Sequence, residues 1–279
     1  MSRDKEPFPY EALSLQALWG LDESLSLTPQ DKRTFQKEAF VFRAPQTQTP
    51  PPTARTSAPL GETPHQAMPL RTVPSFSTKA PDPSKAATLE ELRALMEAFD
   101  GCELKQTATH TVFGMGNART PDVMCVGEAP GADEDRQGLP FVGVSGQLLD
   151  KMLAAIGLTR QKNVYISNII PWRPPGNRQP SPLETSLCLP FIQRHIALIK
   201  PRFLVLLGGT AAKTLLQTKE GIMTLRTRWH SYACPGLEAP IPTCVLFHPA
   251  YLLRSPGQKR LAWLDLLKLQ EALAAGAPQ

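Results

Sequence analysis

The stretch Phe203-Leu204-Val205-Leu206-Leu207-Gly208-Gly209-Thr210-Ala211-Ala212 decides the fold. Its first five residues are uniformly apolar and read as a buried strand, and helical spacing follows the glycine pair from Thr210 to Leu216. Three more apolar runs flank it: PDVMCV at 121–126, NVYISNI at 163–169 and TCVLF at 243–247. Helical patterns separate and follow them, over 145–156 up to Gly157, over 182–199 up to Pro201, and over 261–275. Upstream, Thr88-Leu89-Glu90-Glu91 reads as a capping box, with Thr88 as N-cap and Glu91 at N3, opening a helix to about Phe99. Strands that are apolar throughout and alternate with helices predict an α/β fold, a three-layer α/β/α arrangement around a mostly parallel sheet. Ligands of such sheets bind outside the carboxyl ends of the strands, where 127–143, 168–178 and 248–254 fall.

Of the 279 residues, 42% are hydrophobic and 20% charged, which suits a soluble globular protein with a core. No run approaches the ~18–20 apolar residues of a membrane span. The start, Met1 to Pro7, is charged and lacks the apolar region of a secretory signal, so an integral-membrane or secreted protein is not expected. The five cysteines, at 102, 125, 188, 234 and 244, form no CxxC pair, and reduced thiols in the cytoplasm are expected.

Three regions follow from composition. Residues 1–44 form a tail with an amphipathic pattern inside 8–27 (Leu13, Leu15, Leu18, Trp19, Leu21, Leu25). Residues 45–85 read as a Pro-rich disordered linker, since 10 of the 29 prolines lie between Pro45 and Pro83 and large apolar residues are few. Residues 86–279 form the folded domain. A short helix on such a tether docks on its own domain or on a partner. Charge is split as well: residues 86–150 carry a net −7 and residues 151–279 a net +11. A basic half fits a polyanionic partner or, more plainly, a solvated surface.

The first strand-end segment holds Gly127, Gly131, Gly138 and Gly143, which let backbone approach a ligand. It is neither a Walker A loop nor a dinucleotide fingerprint, because both spacings are absent. Glu128 is placed for a site carboxylate, or is a solvated turn residue. Asn168 ends a strand, where its amide reads a planar ligand with one donor and one acceptor, or caps a turn. His248, directly after TCVLF, is placed to donate to a developing anion, and Arg254 to meet a phosphate.

Taken together, GEAPGADEDRQGLPFVGVSGQLLDKML (127–153), NVYISNIIPWRPPGNRQPSPLE (163–184), FLVLLGGTAA (203–212) and HPAYLLRSPGQKRLAW (248–263) resemble the family-4 uracil-DNA glycosylases in order and spacing. The resemblance covers about Gly101 to Leu267, some 60% of the chain. It implies an enzyme of base-excision repair that flips uracil out of DNA and hydrolyses its N-glycosidic bond, leaving an abasic site. It implies that Phe141 stacks on the uracil, that Asn168 reads its amide edge beside Ala129, that His248 stabilises charge on uracil O2, and that Glu128 lies by the attacking water. It implies an apolar wedge at Leu252 or Leu253, a phosphate contact at Arg254, and a monomer.

The same resemblance implies a [4Fe–4S] cluster on four cysteines, and here the sequence departs. The first ligand pair reads Phe99 and Cys102, and the second reads Trp172 and Cys188. Two thiolates fall short of the four that such a cluster takes, so no cofactor is expected, with Phe99 and Trp172 filling the cavity. Residues 168–194 hold no His and no basic insertion, so a covalent-trapping variant is not expected. Two alternatives stand: a non-catalytic DNA-binding adaptor that reuses the fold and recruits replication or repair partners through its tail, and a glycosylase for another base.

Overall fold

In the computed structural model, residues 82–276 are described. The amphipathic pattern in 8–27 and all but the last four residues of the expected linker lie outside them. Those last four are ordered: Pro83–Lys85 form a 3-10 turn capped by Asp82, with Pro83 buried.

The first helix, α1 (Leu89–Ala98), starts as its sequence dictates. Thr88 Oγ1 accepts from Glu91 N at 3.2 Å, while the Glu91 carboxylate reaches one residue further back than a regular capping box and accepts from Ala87 N at 2.6 Å. The chain continues through α2 (Leu104–Thr107), β1 (Met115–Gly116), β2 (Val123–Gly127), α3 (Ala132–Gln137), α4 (Val144–Ala154) and β3 (Val164–Asn168). Next come α5 (Pro182–Ile199), β4 (Phe203–Leu207), α6 (Gly209–Leu215), α7 (Ile222–Leu225), β5 (His230–Tyr232), β6 (Ile241–Leu246), α8 (Pro249–Arg254) and α9 (Lys259–Ala275).

The sheet runs β1-β3-β2-β4-β6-β5. Its four central strands are parallel, and the two short edge strands are antiparallel to their neighbours. The expected α/β architecture is therefore present, with mixed rather than wholly parallel edges. Alternation splits the strand residues between two layers. Met124, Val126, Leu204 and Leu206 join one core with Leu92, Met96, Phe191, Ile192 and Ile196 of α1 and α5. On the opposite side α4, α8 and α9 pack together, and α9 also packs on β6. Arg226 and Asp265 fasten that side with a buried ion pair at 2.7 Å.

From β2 the chain steps to one side to form β3, then returns to the other side to form β4. A crevice therefore opens at the carboxyl ends beside β2, the switch point of the sheet.

Candidate active site

A cleft of about 450 Å³ occupies that crevice, and Glu128, Ala129, Phe141, Asn168, His248 and Arg254 all line it. They come from the three segments 127–143, 168–178 and 248–254, which the parallel register brings to one end of the sheet.

Glu128 follows β2. The β2–β3 pairing runs past the strand ends, because Ile169 N donates to Gly127 O at 2.9 Å and Ile170 N to Glu128 O at 3.0 Å. Gly127 is thus the direct neighbour of Asn168. Asn168 is buried, and its Oδ1 has no hydrogen-bond partner among the described residues. An orphaned acceptor costs about 1–3 kcal/mol, which a ligand N–H can recover.

His248 follows the sheet's β6 by one residue and caps α8. Its Nδ1 accepts from Ala250 N at 3.2 Å, which leaves the ring proton on Nε2. Burial, and then the neighbouring Arg254 charge, push His248 down to about 4, so the ring is neutral at pH 7 and donates from Nε2. Its centroid lies 5.6 Å from that of Phe141, tilted by 34°.

Phe141 has φ +53°, the left-handed region that a non-glycine residue enters at a cost of order 1–3 kcal/mol. Its loop is held by buried charge. Glu134 Oε1 accepts from Val142 N and Gly143 N, both at 2.9 Å, and Oε2 accepts from Gly131 N at 3.1 Å. Arg160 donates to the carbonyls of Pro140 and Phe141. Asp135, also buried, ties 109–110 to α3 by accepting from Thr109 N at 2.7 Å and His110 N at 3.2 Å.

Of the two leucines expected to wedge into DNA, Leu252 is fully buried, because α8 turns that position into the core with α4. Leu252 therefore cannot serve; Leu253, 41% exposed, faces solvent. Arg254 is exposed and forms no ion pair among the described residues, whereas Arg178, also in the cleft, is paired with Glu184 at 2.6 Å.

The four cluster positions meet in one buried patch. Phe99 stacks on Trp172 with centroids 6.3 Å apart, and on the other side touches Phe191 at 5.2 Å. Trp172 Nε1 donates to Thr111 Oγ1 at 3.0 Å. Cys102 and Cys188 are both buried, and their interaction lowers the Cys102 thiol and, with burial, raises that of Cys188. Two sulfurs and two ring faces do not fit a four-iron cluster. The described residues contain no group of three His, Cys, Asp or Glu able to hold a metal ion.

Two residues of this site escape sequence reading. Glu134 carries a weak signal, an acidic side chain three residues after a helix-capping Gly131. Arg160 carries none, since its turn reads as an ordinary basic surface segment.

The model of the uracil DNA glycosylase superfamily matches residues 113–267. The type-4 uracil-DNA glycosylase of Thermotoga maritima is 40% identical over 172 residues, covering 60% of this chain and 86% of that protein. That of Pyrobaculum aerophilum is 37% identical over 172 residues, with the same coverage of 60% and 86%. That of Archaeoglobus fulgidus is 36% identical over 179 residues, covering 63% and 89%. With a match over more than half its length and relatives covered almost end to end, this chain belongs to the uracil-DNA glycosylase superfamily, in its type-4 group.

Proposed function

We propose that the cleft hydrolyses the N-glycosidic bond of uracil in DNA, releasing free uracil and leaving an abasic site. The observation that carries this is the pairing, in one cleft, of an unsatisfied Asn168 acceptor with a His248 ring fixed as an Nε2–H donor. The Asn168 amide offers Oδ1 to uracil N3–H and Nδ2 to uracil O4, while Phe141 supplies a stacking face. As the bond from C1′ to N1 breaks, its electron pair passes to the uracil and spreads onto O2, where the His248 donor meets it. Water adds its oxygen to C1′ beside Glu128, and the uracil leaves with the balancing proton. The exposed Leu253 takes the wedge role, and Arg254 meets a phosphate.

The test uses end-labelled single- and double-stranded DNA with one uracil, followed by alkali. A cut at the uracil is expected. Binding with no cut on either substrate favours the adaptor reading instead.

The neutral His248 sets a pH dependence. Excision is expected to persist from pH 8 to 5 and to fall as pH drops through about 4, where a proton on Nδ1 ends its acceptance from Ala250 N and the ring loses its aim. Stability follows the same sign. Unfolded histidines bind protons below about 6.5, whereas burial holds His248 to about 4 and His195 to about 3. The unfolded chain thus takes up more protons across that window, and the melting temperature is expected to be lower at pH 5 than at pH 7. An unchanged melting temperature would count against neutral, buried rings.

We further propose that the enzyme works without an iron–sulfur cluster, aromatic packing filling the place of two ligands. Each buried ring contributes about 1.5–3 kcal/mol through its hidden area. Purified protein is expected to be colourless and iron-free; a brown protein with about four irons per chain contradicts this. A monomer in the cytoplasm, with residues 1–44 tethering a repair or replication partner, completes the reading.

A further inference from the structure

The aromatic ring that stacks on a flipped base has no polar atom by which a protein can aim it. Its polar handle is the backbone, and in this chain that backbone is gripped from three sides. Glu134 binds the two N–H groups that follow Phe141. Gly146, on α4, lies so close beneath that a Cβ there would come within 2.7 Å of Phe141 Cα. Arg160, 7% exposed, reaches in from the turn before β3. Its Nη1 donates to Pro140 O at 2.7 Å, its Nη2 to Phe141 O, and its Nε to Asp150 Oδ1 of α4 at 2.7 Å.

Two successive carbonyls that both face one guanidinium are unusual, because in extended backbone they point to opposite sides. Here the left-handed Phe141 turns them to the same side. The planar fork of Arg160 therefore fits this conformation and no extended one. A buried cation is a poor choice for stability alone, since an apolar side chain of similar volume serves a core at least as well.

We infer that Arg160 is a positioning residue of the reaction, locking the strained Phe141 backbone so that its ring is already set to receive the flipped uracil. The inference rests on the uracil-glycosylase reading, and acts on the base rather than on the DNA backbone.

The test is a double-mutant cycle in the full chain, read as single-turnover uracil release. Arg160→Met is expected to lose roughly 100-fold, the scale of a small misplacement at a reacting centre. Phe141→Ala is expected to lose a similar factor. The double variant falls no more than about 3-fold below the worse single one, because both changes remove the same contribution. Affinity for abasic-site DNA stays within about 3-fold of wild type, which a general loss of structure would not allow. Losses that multiply, or near wild-type release by Arg160→Met, overturn the inference. If Arg160→Met does not fold, Arg160→Lys decides: roughly 10-fold lost in the wild-type background and none in Phe141→Ala supports it, and equal losses in both overturn it. A wild-type chain that releases no uracil overturns the functional reading and this inference with it; an active wild type beside multiplying losses overturns the inference alone.

Discussion

His248→Ala is expected to slow single-turnover uracil release by about 10²–10³-fold, the cost of removing one pre-aimed donor to a developing anion. The donor is pre-aimed because Ala250 N occupies Nδ1, so Nε2 carries the ring proton before any substrate arrives. The same substitution removes the N-cap of α8 and costs about 1 kcal/mol of stability. His248→Asn separates the two effects. It restores a short capping acceptor and is expected to recover the melting temperature, while the rate stays low. Affinity for abasic-site DNA is expected to change little in either variant. If His248→Ala keeps more than about a third of the wild-type rate, the anion is stabilised elsewhere.

Gly127→Ala is the second large effect, and its cause is purely steric. Gly127 ends β2 with ordinary strand backbone, so alanine meets no conformational penalty. A Cβ there would lie 2.6 Å from Phe141 Cζ and would collide with Asn168 Oδ1. One methyl group thus displaces the stacking ring and the base-reading amide together. Overpacking of this kind costs about 1–3 kcal/mol of stability. Uracil release is expected to fall by roughly 100-fold, because both uracil contacts move. The check compares rate, melting temperature and abasic-DNA affinity of Gly127→Ala with those of wild type; a normal rate means that the ring and the amide do not hold the base.

The central strands and the residues just beyond them were legible in the sequence, because each strand is an apolar run that stops at a site residue. Glu128, Asn168 and His248 all follow from that pattern. The helix α3 was not legible. Ala-Asp-Glu-Asp-Arg-Gln has no apolar period, and its helix is held by the Glu134 and Asp135 carboxylates reaching across the loop. The edge strands β1 and β5 span two and three residues, too few to show alternation. Leu252 and Leu253 are adjacent in a six-residue helix, and only packing against α4 decides which one turns inward. Arg160 is a charged turn residue until the fold places two carbonyls before it.

The cleft residues Glu128, Asn168, Gly208 and His248 lie forty positions apart, one at the end of each central strand. No short peptide of this chain can therefore hold the site. Each contact must wait until distant segments have found one another, the slow part of folding for a parallel sheet. Competence to act on DNA is thus a late event in the life of the molecule, one that a nascent or half-assembled chain has not reached.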